Sequence, residues 1–343
     1  MSTRTKAMMI GGGVLVAAVV AFLVLSGRAE DLVPGLAAEP ATCPLSGAEP
    51  GDESRLERPA VAVKIENAEV SRPLSGLEKA DLVYEELIEG GETRFMAFFH
   101  CRDASKAGPV RSARQVDPAI LGAKTNILAF SGANSAVEDT LDEAGIVSIT
   151  ESEAGDAMQR IAREGISSEH TLYADTSAIR KIARKEYDDL PADDLFEFGD
   201  LQGDPKAARS VSINFGGAST ITYEFVNGKY ERSQDGGPFM AESGKQIAPA
   251  NVLIEEHQIR LSNVVDVTGT PSPIIVNETG TGRAVLFRDG RVVVGRWSRE
   301  EVGDAVTFET KSGDAMVFAP GSIWVELVPT PKGEVKGSFE YER

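Results

Sequence analysis

Residues 60 to 117 constrain this chain more than any other stretch, because charged and polar residues are packed there between apolar triplets. The stretch opens with Val63-Lys64-Ile65-Glu66-Asn67 and Arg72-Pro73-Leu74-Ser75-Gly76-Leu77. Ala80-Asp81-Leu82-Val83-Tyr84-Glu85-Glu86 follows, then Glu89-Gly90-Gly91-Glu92-Thr93-Arg94 and Gly108-Pro109-Val110-Arg111-Ser112-Ala113-Arg114. A charge drawn toward an apolar interior must find a partner. The pattern therefore points to a built polar site rather than a plain solvated surface.

Asp81 to Arg94 reads as a hairpin turning at Gly90-Gly91. Alternation puts Asp81, Val83, Glu85, Leu87 and Glu89 on one face, with Glu85 and Glu89 about 13 Å apart. A simple glycosidase pair needs roughly 5–9.5 Å, a separation that a helical i,i+4 pair approaches at about 6 Å. The acids alone do not specify hydrolysis, and hairpin-edge charges are the plain alternative. Gly90-Gly91 serves either the turn or a close approach of another backbone. Arg94 either forks onto a carboxylate or phosphate or pairs with Glu85 or Glu89. Pro109 suits a first helical turn, which would put Arg111 and Arg114 on one face as an anion receiver, with Asp117 orienting one of them. The alternative is an internal network with the acids of 81–92. His170 is a proton carrier or a hydrogen-bonded loop residue. No zinc spacing, phosphate loop, nucleophile elbow or calcium loop occurs, so no metal or cofactor is expected.

Strands at Ala60 to Ile65 and Asn126 to Gly132 interleave with helices expected over Pro118 to Ala123, Ser135 to Ala144, Ala154 to Arg163 and Thr176 to Tyr187. Further on, Asn227-Gly228, Asp289-Gly290 and Ser312-Gly313-Asp314 punctuate short strands, and Ser322 to Val328 is a clean strand. The expected fold class is α+β: a mixed α/β domain over 59–190, a linker over 191–208, and a mainly β domain, a small barrel or sandwich, over 209–335.

Ala7 to Leu25 is an uncharged apolar run behind Arg4 and Lys6. Nineteen residues of helix span about 28 Å, enough for a hydrocarbon core. We expect 1–28 to be an uncleaved single-pass signal anchor with the body outside the membrane, and 29–58, rich in Ala, Pro, Gly and Glu, to be a tether. Cys43 and Cys101 are the only cysteines. An oxidising exterior lets them pair, closing a loop of about 57 residues for about 2–4 kcal/mol. With 53 acids against 35 Lys and Arg, the net charge of -18 excludes nucleic acid as a partner.

The motif series resembles the YerB-like extracytoplasmic lipoproteins, defined by a domain of unknown function, DUF3048. Ile65-Glu66-Asn67, Arg72-Pro73, Gly76-Leu77, Ala80-Asp81, Tyr84-Glu85, Glu89-Gly90, Thr93-Arg94 and Gly108 through Arg114 carry it in order, and Asn251 to Ile254 and Pro320 to Trp324 mark the later domain. Relatives show Pro-His-Asn-x-Tyr where this chain has Glu169-His170-Thr171-Leu172-Tyr173. No cysteine follows the apolar run directly, a departure from the lipid-anchored pattern. The resemblance implies an envelope protein exposed outside the membrane and supplies no reaction. The expected function is recognition of a wall glycan or peptide bearing carboxylates or phosphates. Arg94, Arg111 and Arg114 would hold the anion, Asn67 and Tyr84 would orient it, and His170 would line the site. The rivals are a wall-acting hydrolase or lyase using Glu85 or Glu89 as general acid/base, and a scaffold for another envelope protein. Convergence of Glu85, Glu89, Arg94, Arg111 and His170 would favour enzyme or ligand binder over scaffold.

Overall fold

Period-two alternation with both faces apolar builds the centre of this protein. In the computed structural model, which describes residues 41–201, 203 and 205–343, β1 (Val61–Glu66), β2 (Leu82–Leu87) and β3 (Thr93–Phe99) are buried along their whole length. β3 lies between the other two and pairs antiparallel with both. Parallel strands β4 (Ile127–Ala129) and β5 (Val147–Ile149) extend the sheet beyond β1. On the other side β2 pairs in parallel with Ile323–Pro329, which continues through Asn251–His257, Gly280–Arg288 and Arg291–Arg299 to Thr307–Thr310.

The fold is α+β with a strand-rich later part, as its sequence pattern implies. One sheet runs through both halves of the sequence, and Thr42–Arg343 forms one compact unit. A second, five-stranded sheet, containing Ser210–Asn214, Ile221–Val226 and Lys229–Gln234, packs on the face carrying Val83, Phe95 and Trp324. Tyr223 meets Trp324 edge-on, with ring centroids 6.5 Å apart. The opposite face, with Tyr84, Met96 and Phe98, is covered by the short helices Asp117–Leu121 and Ser135–Glu143 and by aromatic residues including Phe196 and Phe308. The segment expected as a linker is thereby packed: Leu195, Phe196 and Ala208 are buried.

The hairpin signals form as read. Asn227-Gly228 and Asp289-Gly290 take positive φ at their turns. The helix expected over Ala154 to Arg163 is instead a short helix, Glu151–Ala154, a 3-10 turn, and a strand, Met158–Arg160, because backbone pairing with Leu172–Ala174 outweighs its helical spacing. The apolar run Ala7 to Leu25 and residues 29–40 of the expected tether lie outside the described residues. At residues 43–47 that tether is docked: Cys43, Leu45 and Ser46 are buried, and Cys43 is disulfide-bonded to Cys101 with a Cα–Cα distance of 6.1 Å. Among the described residues no helix is long and apolar enough to cross a membrane.

Candidate functional site

Strand register sorts the ionisable residues of the opening stretch onto two opposite faces. Glu66, Arg94 and Glu86 stand level with one another across β1, β3 and β2, on the face of Tyr84 and Met96. Glu85 alternates to the other face and lies between the two sheets. It accepts from Arg232 Nη2 at 2.9 Å, Thr93 Oγ1 at 2.5 Å and Asn67 Nδ2 at 3.2 Å. Arg232 is fully buried, 4.0 Å from the Phe239 ring centroid. Glu326, level with Glu85 on the next strand, accepts from Tyr223 at 2.5 Å; burial and then the Glu85 charge hold its carboxyl well above the usual range. This network binds the sheets together, and its acids have no access to solvent. Glu85 and Asn67 are thus placed away from Arg111, as structural members.

On the other face the segment before Asp117–Leu121 is extended, not helical. Val110 N–H donates to Leu172 O, Arg111 N–H to Lys64 O and Ala113 N–H to Gly132 O. These pairings outweigh the helix start expected from Pro109, and the helix begins only at Asp117, with a proline in its first turn. Arg111 and Arg114 therefore share no helix face. Asp117 nevertheless caps the segment, its Oδ2 accepting from Arg114 N–H at 2.8 Å and its Oδ1 from Lys64 Nζ at 2.5 Å. Lys64 also pairs with Glu86.

Arg114 grips Glu89 Oε2 through Nε at 3.0 Å and Nη2 at 2.5 Å, and Ser272 Oγ donates to Glu89 Oε1 at 2.5 Å. Burial alone would raise Glu89, but Arg114 and Ser272 bring it below the ordinary value. An acid held ionised in this way is a poor general acid. Glu89 joins the Arg114 side because it sits in the turn Glu89–Gly91, where strand alternation has ended. The glycines there serve the turn and a close backbone approach. Gly90 and Gly91 take φ of 74° and 78°, and a Cβ on Gly217 would meet Gly91 O at 2.1 Å.

Arg94 and Arg111 differ from Arg114. Arg94 Nη1 donates to Ser112 O at 2.7 Å, Arg111 Nη1 donates to Glu169 O at 2.8 Å, and neither forms a carboxylate pair within 4 Å among the described residues. Arg94 Nε is buried and has no hydrogen-bond partner among the described residues. Burial, with the neighbouring Arg114 and Arg111 charges, pulls Arg94 down to about 9. Beside them His170 Nδ1 lies 2.7 Å from Glu66 Oε2. Glu66 is raised by burial, against the opposing pull of His170, Arg111 and Arg94. Burial also lifts Glu86 to about 7, opposed by Lys64 and reinforced by Asp117.

The site thus gathers Glu89, Arg94, Arg111, Arg114 and His170, together with Glu66, Glu86 and Lys64. Tyr84 shares the face but is buried under Lys124, whose Nζ lies 4.9 Å from its ring centroid. Glu66, Glu86 and Lys64 are site members beyond those expected from the sequence. The parity of Lys64, Glu66, Glu86 and Arg94 was the available signal, and it becomes legible only once the hairpin register is known. Among the described residues no group of three or more His, Cys, Asp or Glu is arranged to hold a metal.

Two family models match: "Protein of unknown function (DUF3048) N-terminal domain" over residues 45–189 and its C-terminal domain over residues 211–325. A curated Bacillus subtilis (strain 168) protein named "Putative lipoprotein YerB" is 29% identical over 326 residues, 90% of this chain and 92% of its own length. The crystal structure of YerB from Bacillus subtilis superposes with a TM-score of 0.71 at 25% identity, covering 88% of this chain and 99% of that one.

Proposed function

This chain belongs to the DUF3048 family, and on that premise we propose that it is a membrane-associated extracytoplasmic protein that binds an anionic envelope ligand through Arg94 and Arg111. The ligand class is a glycan or peptide carrying carboxylate or phosphate. One observation carries this reading: two adjacent guanidiniums donate to backbone carbonyls only, beside a third already neutralised by Glu89. An anion would relieve the repulsion that Arg114 and Arg111 exert on Arg94, which Glu86 and Glu89 offset in part, and a guanidinium fork matches carboxylate or phosphate geometry.

Incubating the full chain with purified envelope material and measuring co-sedimentation tests it. Retention that falls at high salt, and about tenfold in Arg111→Gln, supports the reading. Retention unchanged in that variant refutes it. Glu66 gives an enzymatic reading one foothold, because it orients the His170 imidazole as a general base is oriented. Fragments released by the wild type and not by His170→Ala would favour that reading. Anchoring is proposed through the Ala7 to Leu25 run.

A further inference from the structure

A second polar site lies at the other end of the strands. Arg102 follows β3, and Lys79 and Ser322 precede β2 and its parallel neighbour Ile323–Pro329, whereas Arg94 and Glu66 stand at the opposite strand ends. Here the DUF3048 N-terminal and C-terminal segments meet around a pocket of about 320 Å³. That volume is at the lower bound for small-molecule sites. Its floor is apolar, with Leu77, Ile247 and Trp324 all nearly fully buried. Phe95 meets the Trp324 ring edge-on at 5.3 Å, which fixes it in place.

The charge of this pocket runs against that of the protein. Lys79, Arg102, Lys229 and Lys245 line it against a single acid, Glu78, in a chain with 35 Lys and Arg and 53 acids. Asp81 neutralises Arg102 at 2.9 Å. The three lysines form no ion pair within 4 Å among the described residues, so three ammoniums face one carboxylate. Ser243 and Ser322 add hydroxyl donors at the rim. In a chain of net charge -18, a cationic pocket with an apolar floor concentrates anions locally.

We propose that this seam pocket binds an anionic saccharide. The C–H face of the sugar would lie on the apolar floor, and its phosphate or carboxylate would be held by Lys79, Lys229 and Lys245. The proposal is independent of the Arg94–Arg111 reading, because the two sites share no residue and lie at opposite strand ends.

Isothermal calorimetry on the full chain at low salt tests it, with glucose 1-phosphate and glucuronate as probes and glucose and inorganic phosphate as controls. One or both anionic sugars should bind more tightly than either control, and which one binds distinguishes phosphate from carboxylate. The Lys79→Gln, Lys229→Gln, Lys245→Gln triple variant should weaken binding about tenfold or more. Glu78→Gln should tighten it, a change of opposite sign that disturbed folding would not produce. The proposal is overturned if neither anionic sugar binds at millimolar concentration, or if inorganic phosphate binds as well as both. It is also overturned if the triple variant, melting at the wild-type temperature, binds like wild type.

Discussion

Replacing Arg114 and Arg111 one at a time should separate the arginine that holds the fold from the one that faces a ligand. Arg114→Gln removes both bonds to Glu89 Oε2, at 3.0 and 2.5 Å, and leaves Glu89 with Ser272 as its side-chain partner. The two side chains are 14% and 6% exposed, so an almost buried carboxylate loses its counter-charge. Breaking a buried pair from one side costs about 3–5 kcal/mol, and the slight exposure puts this pair near the lower figure. At about 2 °C per kcal/mol for a unit of this size, the melting temperature should fall by about 6 °C. Arg111→Gln removes one exposed bond to the Glu169 carbonyl, so stability should stay within about 0.5 kcal/mol. Retention on envelope material should respond the other way, lost in Arg111→Gln and kept by the folded fraction of Arg114→Gln. Differential scanning calorimetry with the sedimentation assay reads both. Equal stability losses in the two variants, or a larger loss in Arg111→Gln, would refute the reasoning.

Other consequences are open to measurement. The folded pKa of Glu86, lifted by burial from 4.5 to about 7, means that the folded chain keeps a proton the unfolded chain releases between those values. Its stabilising contribution is fully present below about 4.3 and is lost as pH rises through about 7. Glu86→Gln should therefore match wild type at pH 4 and gain on it at pH 8, and an equal gap at both pH values in thermal melts would contradict this. The Cys43–Cys101 bond spans 58 residues, so its removal should cost about 4 kcal/mol in the chain-entropy model; urea midpoints of Cys43→Ser/Cys101→Ser check it, and an unchanged midpoint counts against it. The protein should remain with membranes without incorporating labelled lipid; a membrane-free form whose N-terminus lies beyond Leu25 would sink the anchor proposal.

Local chemistry made much of this fold legible. Asn227-Gly228 and Asp289-Gly290 announced their hairpins, and the Gly90-Gly91 turn ends β2 where alternation stops. What the sequence hid was non-local. Strand β2 and Ile323–Pro329 pair in parallel across about 240 residues of chain, and nothing at either segment encodes the other's register. That pairing sets Glu85 beside Glu326 and beneath Arg232, which converts a conspicuous acid into an internal strut. Arg111 and Arg114 carried helical spacing, but the carbonyls of Lys64, Leu172 and Gly132 claimed the backbone N–H groups between Val110 and Ala113. The site was legible as a set of residue types and illegible as a geometry, because adjacent residues such as Glu85 and Glu86 serve opposite faces of one sheet.

Arginine side-chain NMR reads the central claim most directly. In protein labelled with 15N-arginine, the Nε–Hε resonances of Arg94, Arg111 and Arg114 can be assigned by substitution and followed while soluble envelope fragments are added. Saturable shifts are expected at Arg94 and Arg111, with Arg114 unmoved in its grip on Glu89. Shifts at Arg114, or none at Arg94 and Arg111 at saturating ligand, would contradict it.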